Sequence, residues 1–110
     1  MDDLELAYAA WRDQDFPPGS AVDALDELHA DLVLADVWVA NAVVPFVEQG
    51  LYQPAQVDVV GELLKLDARA GELASASVGE EAQLACDYRS YVSRLLGVYQ
   101  AFLAQPRRDS

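Results

Sequence analysis

Two aspartates occupy positions that a plain helical bundle fills with apolar side chains. Asp36 lies between Leu32 and Val39 on one apolar stripe, and Asp67 lies near the centre of another. Burying a carboxylate is unfavourable unless it is paired or hydrogen-bonded. Each aspartate is therefore a structural hydrogen-bond acceptor, a catalytic or ligand-binding acid in a cleft, or a solvated group at a helix end.

Tyrosines in the last third of the sequence are suitable partners for these carboxylates. Tyr88, Tyr91 and Tyr99 lie on the inner side of an amphipathic segment, and a phenol can donate one hydrogen bond to a carboxylate. We expect a carboxylate–phenol bond that fixes the alignment of two helices. The alternative is a small-molecule-binding or catalytic bundle that uses Asp36, Asp67 and the tyrosines around an internal cavity.

The sequence shows no second set of reactive groups. His29 is the only histidine and Cys86 the only cysteine. A carboxylate metal site in a helical bundle needs Glu-x-x-His spacings on facing helices, and a cysteine nucleophile needs a base and an oxyanion hole. We therefore expect His29 on a helix flank and Cys86 as a passive thiol. No catalytic residue, metal or cofactor is predicted, and no motif resembles a known family.

Breaks in the helical pattern divide the chain into four segments. The Pro17-Pro18-Gly19 run is the first break, Gly50 to Pro54 the second, and 75–79 a softer third. Pro54 suits the first position of a helix. Helices are predicted at about 3–13, 21–49, 54–75 and 78–104, with a flexible tail at 105–110.

The pattern of apolar residues predicts an all-α fold. Apolar side chains recur at helical spacing in all four segments, and no segment shows the alternation of a half-buried strand. Three long helices with short connections pack antiparallel, and the short first helix closes the bundle. The 110 residues then form one domain, large enough to bury a core without a disulfide.

Negative charge is concentrated in the first half of the chain. Residues 1–50 contain 11 acids and a single base, Arg12, so most of the net charge of −12 lies in this half of the chain. Such a surface repels nucleic acid and anionic membranes and attracts basic proteins. The second helix carries part of this charge as one stripe of carboxylates: Asp23, Asp26, Glu27 and Asp31. Solubility, salt adaptation or codon bias is the alternative explanation of the acidity.

Farther along, the outward side of the second helix becomes apolar. Leu34, Val37, Trp38 and Val44 follow the acidic stripe. A helix that is apolar all round must be covered on both sides. Either the first helix covers these residues, or they form an exposed surface for a partner or for self-association.

These features predict a non-catalytic, acidic helical binding protein. Its N-terminal half would engage a basic partner protein, as an inhibitor, an immunity-type or antitoxin-type protein, or a nucleic-acid mimic. A homodimeric structural protein is a further alternative. The acidic start of the sequence predicts a cytoplasmic protein. Asp36 and Asn41 interrupt the apolar run 32–47, so we expect no membrane span. The negative charge predicts that the protein does not bind nucleic acid directly.

Overall fold

Four helices account for most of residues 3–105, the part of the chain that the computed structural model describes. They are α1 (Asp3–Arg12), α2 (Asp23–Gln49), α3 (Val59–Ala76) and α4 (Gly79–Leu103). The described residues contain no strand, so the predicted all-α bundle is confirmed. The predicted flexible tail lies outside these residues, apart from Gln105.

The helix α4 is the centre of the bundle, since it packs against each of the other three helices. The ring of His29 in α2 lies 5.9 Å from that of Tyr88 in α4, and Phe46 lies 5.6 Å from Phe102. In both helices the residue that comes earlier in the sequence meets the earlier residue of the other helix, so α2 and α4 run in the same direction. The connecting helix α3 is therefore antiparallel to both, as the short connections predict.

A single seam of α2 faces the core. Leu25, Leu28, Leu32, Ala35, Val39 and Ala42 all have at most 2% of their surface exposed. Their alternating spacing of three and four residues keeps a helix in continuous contact with its neighbours. The opposing face of α4 contributes the largest fully buried side chains, Tyr88 and Phe102. These six residues and the buried Val43 form the contribution of α2 to the core.

The start of α3 differs from the prediction that Pro54 is its first residue. The helix begins at Val59, and the Asp58 carboxylate accepts a hydrogen bond of 3.0 Å from the Gly61 N–H. Upstream, the Ala55 N–H donates to the Tyr99 hydroxyl at 3.1 Å. This hydrogen bond holds the connection between α2 and α3 against α4, and the N-cap residue Asp58 then begins the first turn of α3.

The connection between α1 and α2 is held by side chains of the bundle. The Tyr88 hydroxyl donates to the Pro18 carbonyl oxygen at 2.6 Å, and His29 Nε2 lies 3.1 Å from the Pro17 carbonyl oxygen. The ring of Phe16 packs edge-on against Tyr91 at 4.7 Å. Because proline has no N–H and does not continue a helix, these contacts supply hydrogen-bond partners for the Pro17 and Pro18 carbonyl oxygens.

Two glycines with open space around them provide a matched test of backbone conformation. Gly50 ends α2 in the left-handed region at φ 73°, and its N–H donates to the Phe46 carbonyl oxygen. Gly97 lies inside α4, and an added Cβ at either position meets nothing within 4 Å. We expect Gly50→Ala to lower the free energy of unfolding by about 1 kcal/mol and Gly97→Ala to raise it by about 0.5–1 kcal/mol. Urea unfolding of both variants measures this, and effects of the same sign would contradict it.

Candidate protein-binding surface

Asp36 belongs to a three-residue hydrogen-bond network. Tyr91 donates its hydroxyl to Asp36 Oδ1 at 2.6 Å, and Trp11 Nε1 lies 3.0 Å from the same oxygen. The indole N–H also lies 3.1 Å from the Tyr91 oxygen. Trp11 and Tyr91 are buried and Asp36 is half-buried. The network joins α1, α2 and α4, because Asp36 accepts hydrogen bonds from side chains of the other two helices.

The network changes the acidity of the phenol. Burial, followed by the hydrogen bond to Asp36 and its negative charge, raises the pKa of Tyr91 well above its ordinary value of 10.0. Burial and the charge of Asp26 also raise the pKa of Tyr88. Both hydroxyls therefore stay protonated at neutral pH and act as hydrogen-bond donors. This arrangement stabilises the packing of helices, as expected for a structural carboxylate.

The expectation that Asp67 binds a phenol is wrong. Its Oδ1 accepts a hydrogen bond of 3.1 Å from Arg89 Nε, and both side chains are partly exposed. Tyr88 and Tyr99 are buried as expected, but their hydroxyls bind the backbone of Pro18 and Ala55. Asp67 lies far enough toward the flank of α3 to meet the outer side of α4. Asp36 and Asp67 therefore belong to separate polar contacts.

The acidic residues of α2 are not all equally available. Asp31 accepts a hydrogen bond from Arg69, so a base on α3 pairs with one of the four acids of the predicted stripe. Asp23, Asp26 and Glu27 are exposed, and none of them takes part in the ion pairs found among residues 3–105. These three carboxylates are called the acidic stripe below.

The outward side of α2 next to the acidic stripe is exposed and apolar. Val33, Leu34 and Val37 have 41%, 48% and 45% of their surface exposed. We call these three residues the apolar strip. The first helix does not cover it, because α1 packs mainly against α4. Only 28% of the most apolar stretch of α2 is buried, and α2 is the one helix in residues 3–105 with the length and composition of a membrane span.

Trp38 and Val44 are not part of the freely exposed strip, although the sequence placed them there. Both are half-buried and pack against the core. Trp38 lines a cleft of about 230 Å³ between α2 and the connection before α3, together with Asn41, Gln53, Ala55, Gln56 and Val57. The large indole fills space beside this connection, so the exposed surface has its centre at Leu34 and Val37.

The remaining reactive side chains are placed as the sequence suggests. Cys86 is exposed on α4. His29 lies on the flank of α2, where its ring contacts Phe16 edge-on at 5.3 Å. Within residues 3–105, no group of three or more His, Cys, Asp or Glu side chains is arranged to hold a metal ion. The acidic stripe and the apolar strip, in contrast, adjoin each other on the surface of one helix, α2.

Two features of this surface were not predicted from the sequence. Arg69 pairs with Asp31, which lies 38 positions away in the sequence. Val33 is exposed although it follows the buried Leu32. Its spacing of four residues from Val37 is the signal that places both on one side of a helix.

The carboxylates of Asp36 and Asp67 should differ in their effect on stability. Asp36→Ala leaves the buried Tyr91 hydroxyl without its acceptor and should cost about 1–3 kcal/mol, whereas Asp36→Asn keeps an acceptor oxygen and should cost less. Asp67→Ala breaks a partly exposed ion pair and should cost less than about 1 kcal/mol. Chemical unfolding of the three variants measures the differences. A larger loss for Asp67→Ala than for Asp36→Ala would contradict this ranking.

The raised pKa of Tyr91 predicts a loss of stability in alkali. Because the folded state holds this proton more tightly than the unfolded state, its contribution is complete below the unfolded pKa of about 10 and declines as the pH rises above it. Tyr91→Phe removes the group, so its stability should fall less steeply with pH. Urea unfolding between about pH 8 and pH 11 tests this. Parallel profiles for the variant and the wild type would contradict it.

Comparison with known proteins does not assign the chain to a family. No family model, no curated protein and no solved structure matches it.

Proposed function

We propose that this chain is a non-catalytic binding protein that engages a basic partner protein through the outward side of α2. The observation that carries the proposal is the direct succession of an exposed acidic stripe and an exposed apolar strip on one helix. Protein interfaces commonly combine a desolvated apolar centre with a polar rim. Here the apolar centre is Val33, Leu34 and Val37, and the rim at one end is acidic.

Charge supports a basic partner. The sequence has no Lys or Arg between Arg12 and Lys65, a range that contains all of α2. Arg69 neutralises Asp31 from α3, which leaves Asp23, Asp26 and Glu27 without an ionic partner among residues 3–105. Asp23 and Asp26 lie in the first turn, where acids also stabilise the helix dipole. Glu27 lies beyond that turn, so its exposed charge is the one that binding explains best.

An inhibitor, an immunity-type protein, an antitoxin-type protein and a nucleic-acid mimic share this chemistry. Each covers a cationic surface of another protein with fixed carboxylates. The acidity that attracts such a surface also opposes binding to nucleic acid and to anionic membranes. A cytoplasmic location remains a prediction from the sequence.

A homodimer is the second candidate, because Val33, Leu34 and Val37 are exposed in the single chain. Burying them across a two-fold axis would remove apolar surface from water. The same pairing would bring two acidic α2 helices together without a base on either. This repulsion makes a basic partner the better match, and Asp36 and Asp67, already engaged by Tyr91 and Arg89, give the catalytic alternative less support.

Charge reversal on α2 should slow the association with the partner. We expect Asp23→Lys combined with Glu27→Lys to lower the association rate constant about tenfold at low ionic strength, and the wild-type rate to fall steeply with salt. Asp31 is left unchanged because it pairs with Arg69. Candidate partners are captured from the native host with wild-type and variant baits. Surface plasmon resonance with each purified partner then measures the rates across a salt series.

The matched control is Glu80→Lys combined with Glu81→Lys. These exposed acids lie in the first turn of α4, at the same end of the bundle, and the change in net charge is identical. The control should retain the partner and most of its association rate. Equal slowing by both double variants would assign the effect to net charge alone and would contradict a site on α2.

A further inference from the structure

The helix α2 carries a second seam with the spacing that a helix partner requires. Its buried seam alternates steps of three and four residues from Leu25 to Ala42. The same alternation recurs on the outward side, and we call this set the outer seam: Ala30, Val33, Val37, Ala40, Val44 and Val47. An alternation of this kind lets another helix pack along its whole length.

The outer seam is long enough to receive a helix, although Ala40 and Val44 also pack against the core. It extends over 18 residues, or about 27 Å of helix. Val33, Val37 and Val47 are 41%, 45% and 37% exposed, while Ala40 and Val44 are half-buried at its centre. Leu34, at 48% exposed, flanks the seam. The small and β-branched side chains present a narrow ridge, which fits between the side chains of one partner helix.

Charge fixes the direction of that helix. The acidic stripe lies at the N-terminal end of the outer seam, and the C-terminal end carries a lone exposed acid, Glu48. A partner helix should therefore place its basic side chains beside the start of α2. Lys and Arg are most favourable in the last turns of a helix, where they complement its dipole. A helix with a basic C-terminal half meets the stripe only when it runs antiparallel to α2.

We propose that the outer seam binds one amphipathic α-helix of the basic partner, antiparallel to α2, with its basic C-terminal half against Asp23, Asp26 and Glu27. This inference rests on the proposed function and adds the secondary structure and the polarity of the partner's binding segment. A second copy of this chain does not meet the charge requirement, because its α2 has no basic residue.

Two synthetic peptides of about three heptads test the inference. Both have leucine and isoleucine at the seam positions and the same composition, and they differ in whether the lysines lie in the C-terminal or the N-terminal half. We expect the full chain to bind the first peptide about tenfold more tightly than the second by fluorescence anisotropy at low salt. Val37→Glu should weaken binding of the first peptide by at least about tenfold.

The control for Val37→Glu is Leu64→Glu. Leu64 is an apolar residue of α3 that is 54% exposed and lies outside the outer seam, so its replacement should leave the affinity unchanged. Circular dichroism of both variants checks that they are folded. Equal affinity for the two peptides, absence of binding by either, or equal loss in the two variants would overturn the inference.

Three further measurements distinguish the proposed partner helix from a second copy of this chain, from a membrane surface and from a failure of the proposed function. A wild-type dimer that Val37→Glu dissociates, seen by sedimentation equilibrium, or seam-dependent binding to phosphatidylcholine vesicles would overturn the inference in favour of a second copy or a membrane surface. If the natural partner is sensitive to Asp23→Lys with Glu27→Lys but not to Val37→Glu, the helix inference fails while the proposed function stands. Insensitivity to both sets of changes removes both.

Discussion

The flat shape of the bundle determines how many sides of α2 its neighbours can cover. The described residues measure 52 × 27 × 18 Å, so the bundle is about two helices thick in its shortest direction. In such a flat arrangement α3 and α4 cover one side of α2, and α1 is committed to α4. A helix with apolar side chains on two sides must then leave one of them in water. The exposure of Val33, Leu34 and Val37 follows from this geometry.

Hydrogen bonds fix the position of α1, which buries few apolar side chains. The short α1 buries only Leu4 and Trp11, and the Trp11 indole N–H is tied to α2 and α4 through Asp36 and Tyr91. A net hydrogen bond contributes about 1 kcal/mol, but an unpaired buried donor costs more. These groups therefore act chiefly by making other positions of α1 unfavourable. The outward side of α2 stays uncovered because these contacts hold α1 against α4.

The helices were predictable where the local sequence and the tertiary structure favour the same conformation. The side-chain contacts at the surface were less predictable. Gly50 ends α2 because its left-handed conformation is a local property of the chain. The start of α3 was missed because the bond from the Ala55 N–H to Tyr99 joins residues 44 positions apart. The predicted partner of Asp67 was wrong because Arg89 and the tyrosines lie on different faces of the same helix, α4. Surface ion pairs between helices depend on the rotation of each helix, which hydrophobic periodicity does not determine to within one side chain.

The two parts of the α2 surface have different physical consequences for binding. Exposed carboxylates act over about a Debye length and chiefly change the rate of encounter, whereas buried apolar contacts chiefly change the rate of dissociation. The ion pair between Arg69 and Asp31 engages the acid that lies between the acidic stripe and the apolar strip in the sequence. The apolar strip can therefore be desolvated without burying an unpaired acid, which would oppose binding. Attraction stays at Asp23, Asp26 and Glu27, where water still reaches the charges and a basic side chain can meet them at the rim.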